Sequence, residues 1–267
     1  ISLRRAPDLS QACLEAYGPV TQSYVVSLRE LLGVVSAHEW RKNGLPILAD
    51  ENGEPVFVHP HYGVFSPVRG EYIELVCNAP LPKALDAEST AFDIGVGTGV
   101  LSIILAMRDI QKIVATDQDD RALTCAKENI ALLNLGSQIE IVKANLFPAG
   151  KAALIVCNPP WLPAKPSSPI EYAVYDPDSK MLMAYLNGLK KHLTEDGEGW
   201  LILSDFAEHL GLRPKEFLLD AIRNAGLIVK EKLDIQPKHG KVADVEDRLH
   251  EARKKEVTSL WILKLNT

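Results

Sequence analysis

The chain has 267 residues, 46% of them apolar, and a formal net charge of −6. That length holds one α/β domain with a small extra module and buries a substantial core, while the negative balance argues against a general polyanion binder, leaving only a local basic face open. Cys13, Cys77, Cys125 and Cys157 show no metal-ligand pairing and lie in apolar surroundings; with no apolar run of transmembrane length and no signal-peptide pattern, the expectation is a cytoplasmic protein with reduced thiols and no membrane association.

The sequence starts at Ile1 and not at Met, as expected where the true amino terminus is missing. Residues 8–43 carry Leu9, Cys13, Leu14 and Tyr17, then Val25, Leu28, Leu31 and Leu32, at helical spacing, with breaks at Gly18-Pro19 and at Gly33. Two or three helices are expected there. Leu45–Leu48, a turn at Asp50–Gly53 and Pro55–Val58 read as a hairpin. The organisation divides after this hairpin, into a module over 1–62 and a larger domain over 63–267.

Thr90–Ile94 is a short buried-strand pattern, followed by Gly95-Val96-Gly97-Thr98-Gly99 and a helical run from Val100 to Met107. Strand, glycine turn and helix are the order of a nucleotide-type site at the carboxyl edge of a parallel sheet. A dinucleotide site would want its third glycine at position 100, where this chain has Val100. Alternating glycines beside Asp93 suit instead a ligand with an amino-acid end and a nucleoside, which describes S-adenosylmethionine. The next strand, Lys112–Asp117, ends in an acid placed to accept both ribose hydroxyls. Asp117 has a second reading as a helix N-cap, but Asp119 and Asp120 stand closer to the helical run Arg121–Leu133.

Ala153–Cys157 is an apolar strand that ends in Asn158-Pro159-Pro160-Trp161. Two prolines fix φ and remove two donors, so the chain leaves the sheet rigidly, with the carbonyls of Asn158 and Pro159 available as acceptors. An acceptor-rich corner beside an aromatic ring suits a planar group bearing an NH2; the alternative is a proline turn with a capping Asn. Residues 162–176, rich in proline and serine, form either a substrate lip or a rigid surface loop. A helix from Lys180 to Leu193, a strand at Gly199–Ser204, a helix from Pro214 to Ala225 and strands at Leu227–Leu233 and Thr258–Leu265 follow, with a charged loop or helix over 236–256 between the last two. Strands alternating with helices give a mostly parallel sheet. His59, His61 and His239 have no metal-like spacing and read as structural or surface residues.

The glycine motif, the acid ending the second strand and the Asn-Pro-Pro-aromatic corner, in this order, resemble the class I S-adenosylmethionine-dependent methyltransferases. The corner resembles their amino-methylating branch, which includes exocyclic base-amine methyltransferases and the HemK/PrmC-type protein-glutamine methyltransferases. The resemblance covers residues 55 to 265 approximately. It implies a doubly wound, seven-stranded, mostly parallel sheet of the Rossmann-like methyltransferase type with its last strand antiparallel, preceded by a helical module and hairpin that engage the substrate. It also implies cofactor contacts from Asp93, Gly95, Gly97, Gly99, Asp117, Asn145 and Asn158, with Phe65 covering the cofactor and Arg69 or Glu71 at its polar end. In the other reading Phe65 is a core anchor and Arg69 an ion-pair partner. Trp161 stands where Tyr or Phe is commoner in the family, and Asn145 where many relatives carry Asp.

The chemistry implied is direct transfer to a planar nitrogen, without a metal and without a Ser or Cys nucleophile. Two N–H groups of the acceptor would meet the Asn158 side-chain oxygen and the Pro159 carbonyl, with Trp161 stacked on the planar face. A protein glutamine side chain is the leading acceptor, and an exocyclic amine in RNA or DNA, which Gly63-Val64-Phe65-Ser66 resembles through the ribosomal guanine methyltransferases, is the alternative. A cofactor-binding scaffold without activity is a third reading. Glu171, Asp176 and Asp178, with only Lys165 before Lys180, give an acidic lip that favours a protein over phosphates. The sequence leaves the oligomeric state open.

Overall fold

The computed structural model describes residues 8–19, 21–23, 25–68, 70–165, 174–237 and 249–266. Helices α1 (Leu9–Tyr17) and α2 (Leu28–Asn43) open the chain and are started by side-chain caps, Asp8 accepting from the Gln11 amide and Ser27 from the Glu30 amide. The break expected at Gly33 does not occur, because α2 runs through it. One glycine in a helix costs about 1 kcal/mol, and Val34 at 1% exposure anchors that turn between Ala12, Ala16 and Tyr62. Strands β1 (Leu45–Ala49) and β2 (Pro55–Val58) pair antiparallel as the expected hairpin. The helical pair and hairpin meet the larger domain through Arg41 and His61, which both reach Glu128 at 3.2 and 2.7 Å, and through the His59 amide, which donates to Asn129.

After α3 (Glu71–Asn78) come β3 (Ala91–Ile94), α4 (Val100–Met107), β4 (Ile113–Asp117), α5 (Asp120–Leu132), β5 (Ile139–Lys143) and β6 (Ala152–Cys157). A short 3-10 turn at Pro177–Ser179 leads into α6 (Lys180–His192), β7 (Leu193–Ser204), α7 (Phe206–His209), α8 (Phe217–Asn224), β8 (Leu227–Ile235), α9 (His250–Lys255) and β9 (Thr258–Leu265). Seven strands form one sheet in the order β5-β4-β3-β6-β7-β9-β8. All pairs are parallel except those of β9, which runs antiparallel to both β7 and β8. This is the doubly wound, Rossmann-like methyltransferase sheet that the motifs imply. The helix expected from Pro214 starts at Phe217, with Pro214 in the preceding turn.

Strand alternation builds the two faces. Leu154 and Val156 of β6, with Trp200 and Ile202 of β7, join α3 and α4 on one side. Ile155, Cys157, Leu201 and Leu203 join Leu182, Leu186 and Leu189 of α6 and Leu218 of α8 on the other. A sheet covered on both faces needs near-continuous apolar strands, and β3 and β6 are buried at every position. Each of those large side chains contributes roughly 1.5–3 kcal/mol by leaving water.

Candidate active site

The sheet order reverses direction of winding between β3 and β6, and crevices at such switch points collect ligands. The register pairs Ile94 with Cys157 and with Thr116, so Gly95, Asn158 and Asp117, distant in sequence, emerge side by side at one carboxyl edge.

Asp93 has no exposed surface. Its Oδ2 accepts from the Ser102 amide at 3.0 Å and the Ser102 hydroxyl at 2.6 Å, tying β3 to the first turn of α4, whereas its Oδ1 is buried with no partner among the described residues. Burial, which penalises the charged form, pushes this carboxyl up to about 6, against the pull of the Ser102 bonds. The Tyr72 hydroxyl on α3 is also buried and unpartnered, and burial next to Asp93 holds it well above the ordinary phenol range. Gly95, Gly97 and Gly99 take φ of +80, +51 and +86°, a region costly for any residue with a Cβ. A Cβ on Gly97 would meet nothing closer than 4.0 Å, so the surface above that turn is open to a ligand.

Asp117 is half-buried at the end of β4, its Oδ2 accepting from the Gly97 amide at 3.2 Å and its Oδ1 from the Asp119 amide at 3.0 Å. Burial raises its pKa, opposed by those amides. Asp119, not Asp117, caps α5. Asn145 lies exposed beyond β5, one strand further out, next to the Ala144 amide that donates to the Asp117 carbonyl. Phe65 is partly buried, its ring 6.1 Å from that of Tyr72 and its Cβ 4.0 Å from where a Gly97 Cβ would stand. It therefore packs as an anchor and borders the turn at once. Glu71 is buried in the first turn of α3, and Arg69 lies outside the described residues.

At the corner after β6, Pro159 is buried while Asn158 and Trp161 are partly exposed. The indole Nε1 donates to Asn158 Oδ1 at 2.9 Å. That bond takes one of the two lone pairs of the amide oxygen and leaves one for an incoming donor. Among the described residues none donates to the carbonyl of Asn158 or Pro159, so the corner keeps the acceptor-rich character expected of it. The acidic lip needs correction: Asp176 is only 5% exposed, and its two oxygens accept from the Met181 and Leu182 amides at 3.0 and 3.1 Å. It is turned inward onto the first-turn amides of α6, whose N-cap residue is Ser179; Asp178 is exposed near Lys180 at 3.8 Å, and Glu171 lies outside the described residues.

An unpartnered carboxylate oxygen and phenol beside an open glycine turn, with a half-buried acid on the next strand, fit a ligand with a cationic amino end and a ribose. Ser102 and Tyr72 join this site without having been singled out in sequence. Ser102 carries a signal, as the one polar residue in the apolar run Val100–Met107. A surface cavity of about 440 Å³ lies elsewhere, at the amino ends of β3, β6 and β7 near Thr90, Lys151 and Thr194, away from every one of these groups. Among the described residues no cluster of His, Cys, Asp or Glu could hold a metal ion, and no helix is long and apolar enough to cross a membrane.

Residues 56–232 match the family model described as the methyltransferase small domain. The chain is 31% identical over 140 residues to the ribosomal protein L11 methyltransferase of Clostridium perfringens (strain SM101 / Type A), covering 46% of this chain and 44% of that protein. It thus spans less than half the length of the curated relatives it matches. Among solved structures it is similar to the M. jannaschii tRNA m1G37 methyltransferase, at 17% identity over 82% of this chain and 56% of that one, with a TM-score of 0.52. It is also similar to a geranyl diphosphate methyltransferase in complex with SAM, at 11% identity over 83% of this chain and 97% of that one, with a TM-score of 0.53. At these identities both carry the fold alone.

Proposed function

The chain belongs to the methyltransferase small domain family, and we propose that it is an S-adenosylmethionine-dependent N-methyltransferase acting on a planar amide nitrogen, a glutamine side chain in a protein. The observation that carries this reading is the Asn158–Trp161 pair, seated one strand away from the Asp93 and Gly97 turn with unfilled acceptors facing the same edge. A relative named as methylating ribosomal protein L11 supports a protein acceptor, and the amino-terminal helices and hairpin are proposed to engage it.

In this reading Asp93 and the glycine turn hold the amino-acid end of the cofactor, Asp117 its ribose, Asn145 its base edge, and Phe65 borders it. Bound there, S-adenosylmethionine supplies an electrophilic methyl group on a leaving group that departs as a neutral thioether. An amide nitrogen is a poor nucleophile because its lone pair is delocalised, so the corner has to supply alignment. The free lone pair of Asn158 Oδ1 and the Pro159 carbonyl each accept one N–H, turning the nitrogen toward the methyl, and the Trp161 ring supports the planar face. The nitrogen gains positive charge as its new bond to carbon forms, and those two acceptors stabilise it until the proton leaves to solvent.

Asn158→Ala separates chemistry from binding. Cofactor affinity by calorimetry should stay near that of the wild type, while methyl transfer falls by roughly 10²-fold, the usual loss on removing one positioned polar group. Unchanged turnover would take Asn158 out of the reaction.

A further inference from the structure

Arg213, between α7 and α8, is 4% exposed, yet the described residues offer it no carboxylate at ion-pair distance. Among the described residues its hydrogen bonds all run through Nη2, to the Trp161 carbonyl at 3.1 Å and the Ser179 hydroxyl at 3.2 Å, and Nε and Nη1 are buried with no partner. The Phe217 ring lies 5.7 Å from its guanidinium carbon. Burial lowers its pKa, opposed by the more distant carboxylates of Glu208 and Asp176. A buried and half-satisfied cation is a poor way to fill a core, where an apolar side chain of similar volume packs at lower cost. Its two acceptors therefore explain its place better than packing does.

Those acceptors bracket one loop. Trp161 starts it, and Ser179 ends it in a left-handed conformation, φ +53°, next to Asp178 at +58°. Two consecutive non-glycine residues in that region persist only where the surroundings over-determine them. Here the Ser179 amide donates to the Asp176 carbonyl, the Asp176 amide to the Leu162 carbonyl, and the Leu162 amide to the Val174 carbonyl. Residues 161–162 and 174–179 thus form one knot, closed across its two ends by the guanidinium. The same knot carries the indole that holds Asn158 Oδ1.

We infer that Arg213 is a positioning residue, a clamp whose Nη2 group, fixed in the guanidinium plane, joins Trp161 to Ser179 and so sets the Asn158–Trp161 pair for its acceptor. This rests on the proposed reading of that pair. A lysine keeps the charge and could reach both acceptors, but its donors sit on a freely rotating ammonium at the end of a flexible stem and not in the fixed plane of a guanidinium, so it holds them less rigidly.

The test compares Arg213→Met and Arg213→Lys with the wild type in the full chain, by hydrogen exchange, by calorimetry with S-adenosylhomocysteine, and by transfer of labelled methyl groups into the proteins of a cell extract. Exchange at the Leu162, Asp176 and Ser179 amides should quicken by about tenfold in Arg213→Met, the loss expected for one hydrogen bond to a charged donor. Amides of β3 and β6 should not change, S-adenosylhomocysteine affinity should stay within about twofold, and transfer should fall by roughly 10²-fold, as misplacement at a reacting centre does. Arg213→Lys should fall between, and it carries the comparison if the methionine variant does not fold. The clamp is refuted if those three amides are unmoved, if they loosen while transfer is intact, or if the lysine variant matches the wild type in both. Should the wild type itself label nothing, the methyltransferase reading fails, and the exchange arm still decides whether Arg213 closes the knot.

Discussion

Asp93→Asn should make the ligand-free protein more stable at neutral pH while weakening its hold on the cofactor. The carboxyl is fully buried, with Ser102 on one oxygen and nothing on the other. Burial lifts it from an ordinary 3.8 to about 6. The folded state therefore holds this proton more tightly than the unfolded chain does. The contribution to stability is fully present below pH 3.8 and is lost as pH rises through about 6. Over that interval the charged form costs roughly 3 kcal/mol, and part of this returns when a neutral amide keeps an oxygen for Ser102 and puts its NH2 where the unpartnered oxygen was. Urea denaturation at pH 8 should show the variant more stable by about 1–3 kcal/mol, with the gap closing as pH falls toward 4.5, because only the wild type titrates there. Calorimetry should show S-adenosylmethionine binding about tenfold or more weaker, since the buried charge proposed for its ammonium is gone. A variant less stable than the wild type at pH 8, or a gap that ignores pH, would refute the reasoning.

Gly97→Val forces a β-branched residue to φ +51°, and Asp117→Ala removes the acceptor of the Gly97 amide. Each should weaken S-adenosylmethionine binding by about tenfold or more in calorimetry, and wild-type affinity in both would remove the glycine turn and Asp117 from the site. Gly188→Ala drives a Cβ into the Phe147 ring, in a stack that also contains His192 at 4.5 Å. Thermal and urea denaturation should show a loss of about 1–3 kcal/mol from overpacking, with cofactor affinity unchanged.

Much of the fold is legible because its strands are apolar on both faces. Ala153–Cys157 and Ala91–Ile94 lie between helices on each side, so their patterns are nearly continuous and hard to misread. Ile139–Lys143 is at the edge of the sheet with Ile141 and Val142 only half-buried, so its alternation gives a weaker mark, and the sequence alone does not single it out as a strand. Helix α7 has four residues and no periodicity to read. The glycine turn and Asp117 are legible because close approach and positive φ demand particular residue types at adjacent strand ends. What the chain order conceals is pairing between distant elements. Nothing local marks Arg213 as the neighbour of Trp161, Tyr72 as the neighbour of Asp93, or Asp176 as an acid turned inward onto the α6 amides instead of a rim acid. The indole bond to Asn158 spans three residues, yet it depends on a rotamer that Pro159 and Pro160 permit without dictating.

The most direct measurement is where the methyl group goes. Purified protein incubated with radiolabelled S-adenosylmethionine and cell extract should place the label in protease-sensitive, nuclease-resistant material, and mass spectrometry should find it on a glutamine side-chain nitrogen. Label in nuclease-sensitive material, in an amount that collapses between low and moderate salt as phosphate-held substrates do, would contradict the account and assign the corner at Asn158 to a nucleobase amine.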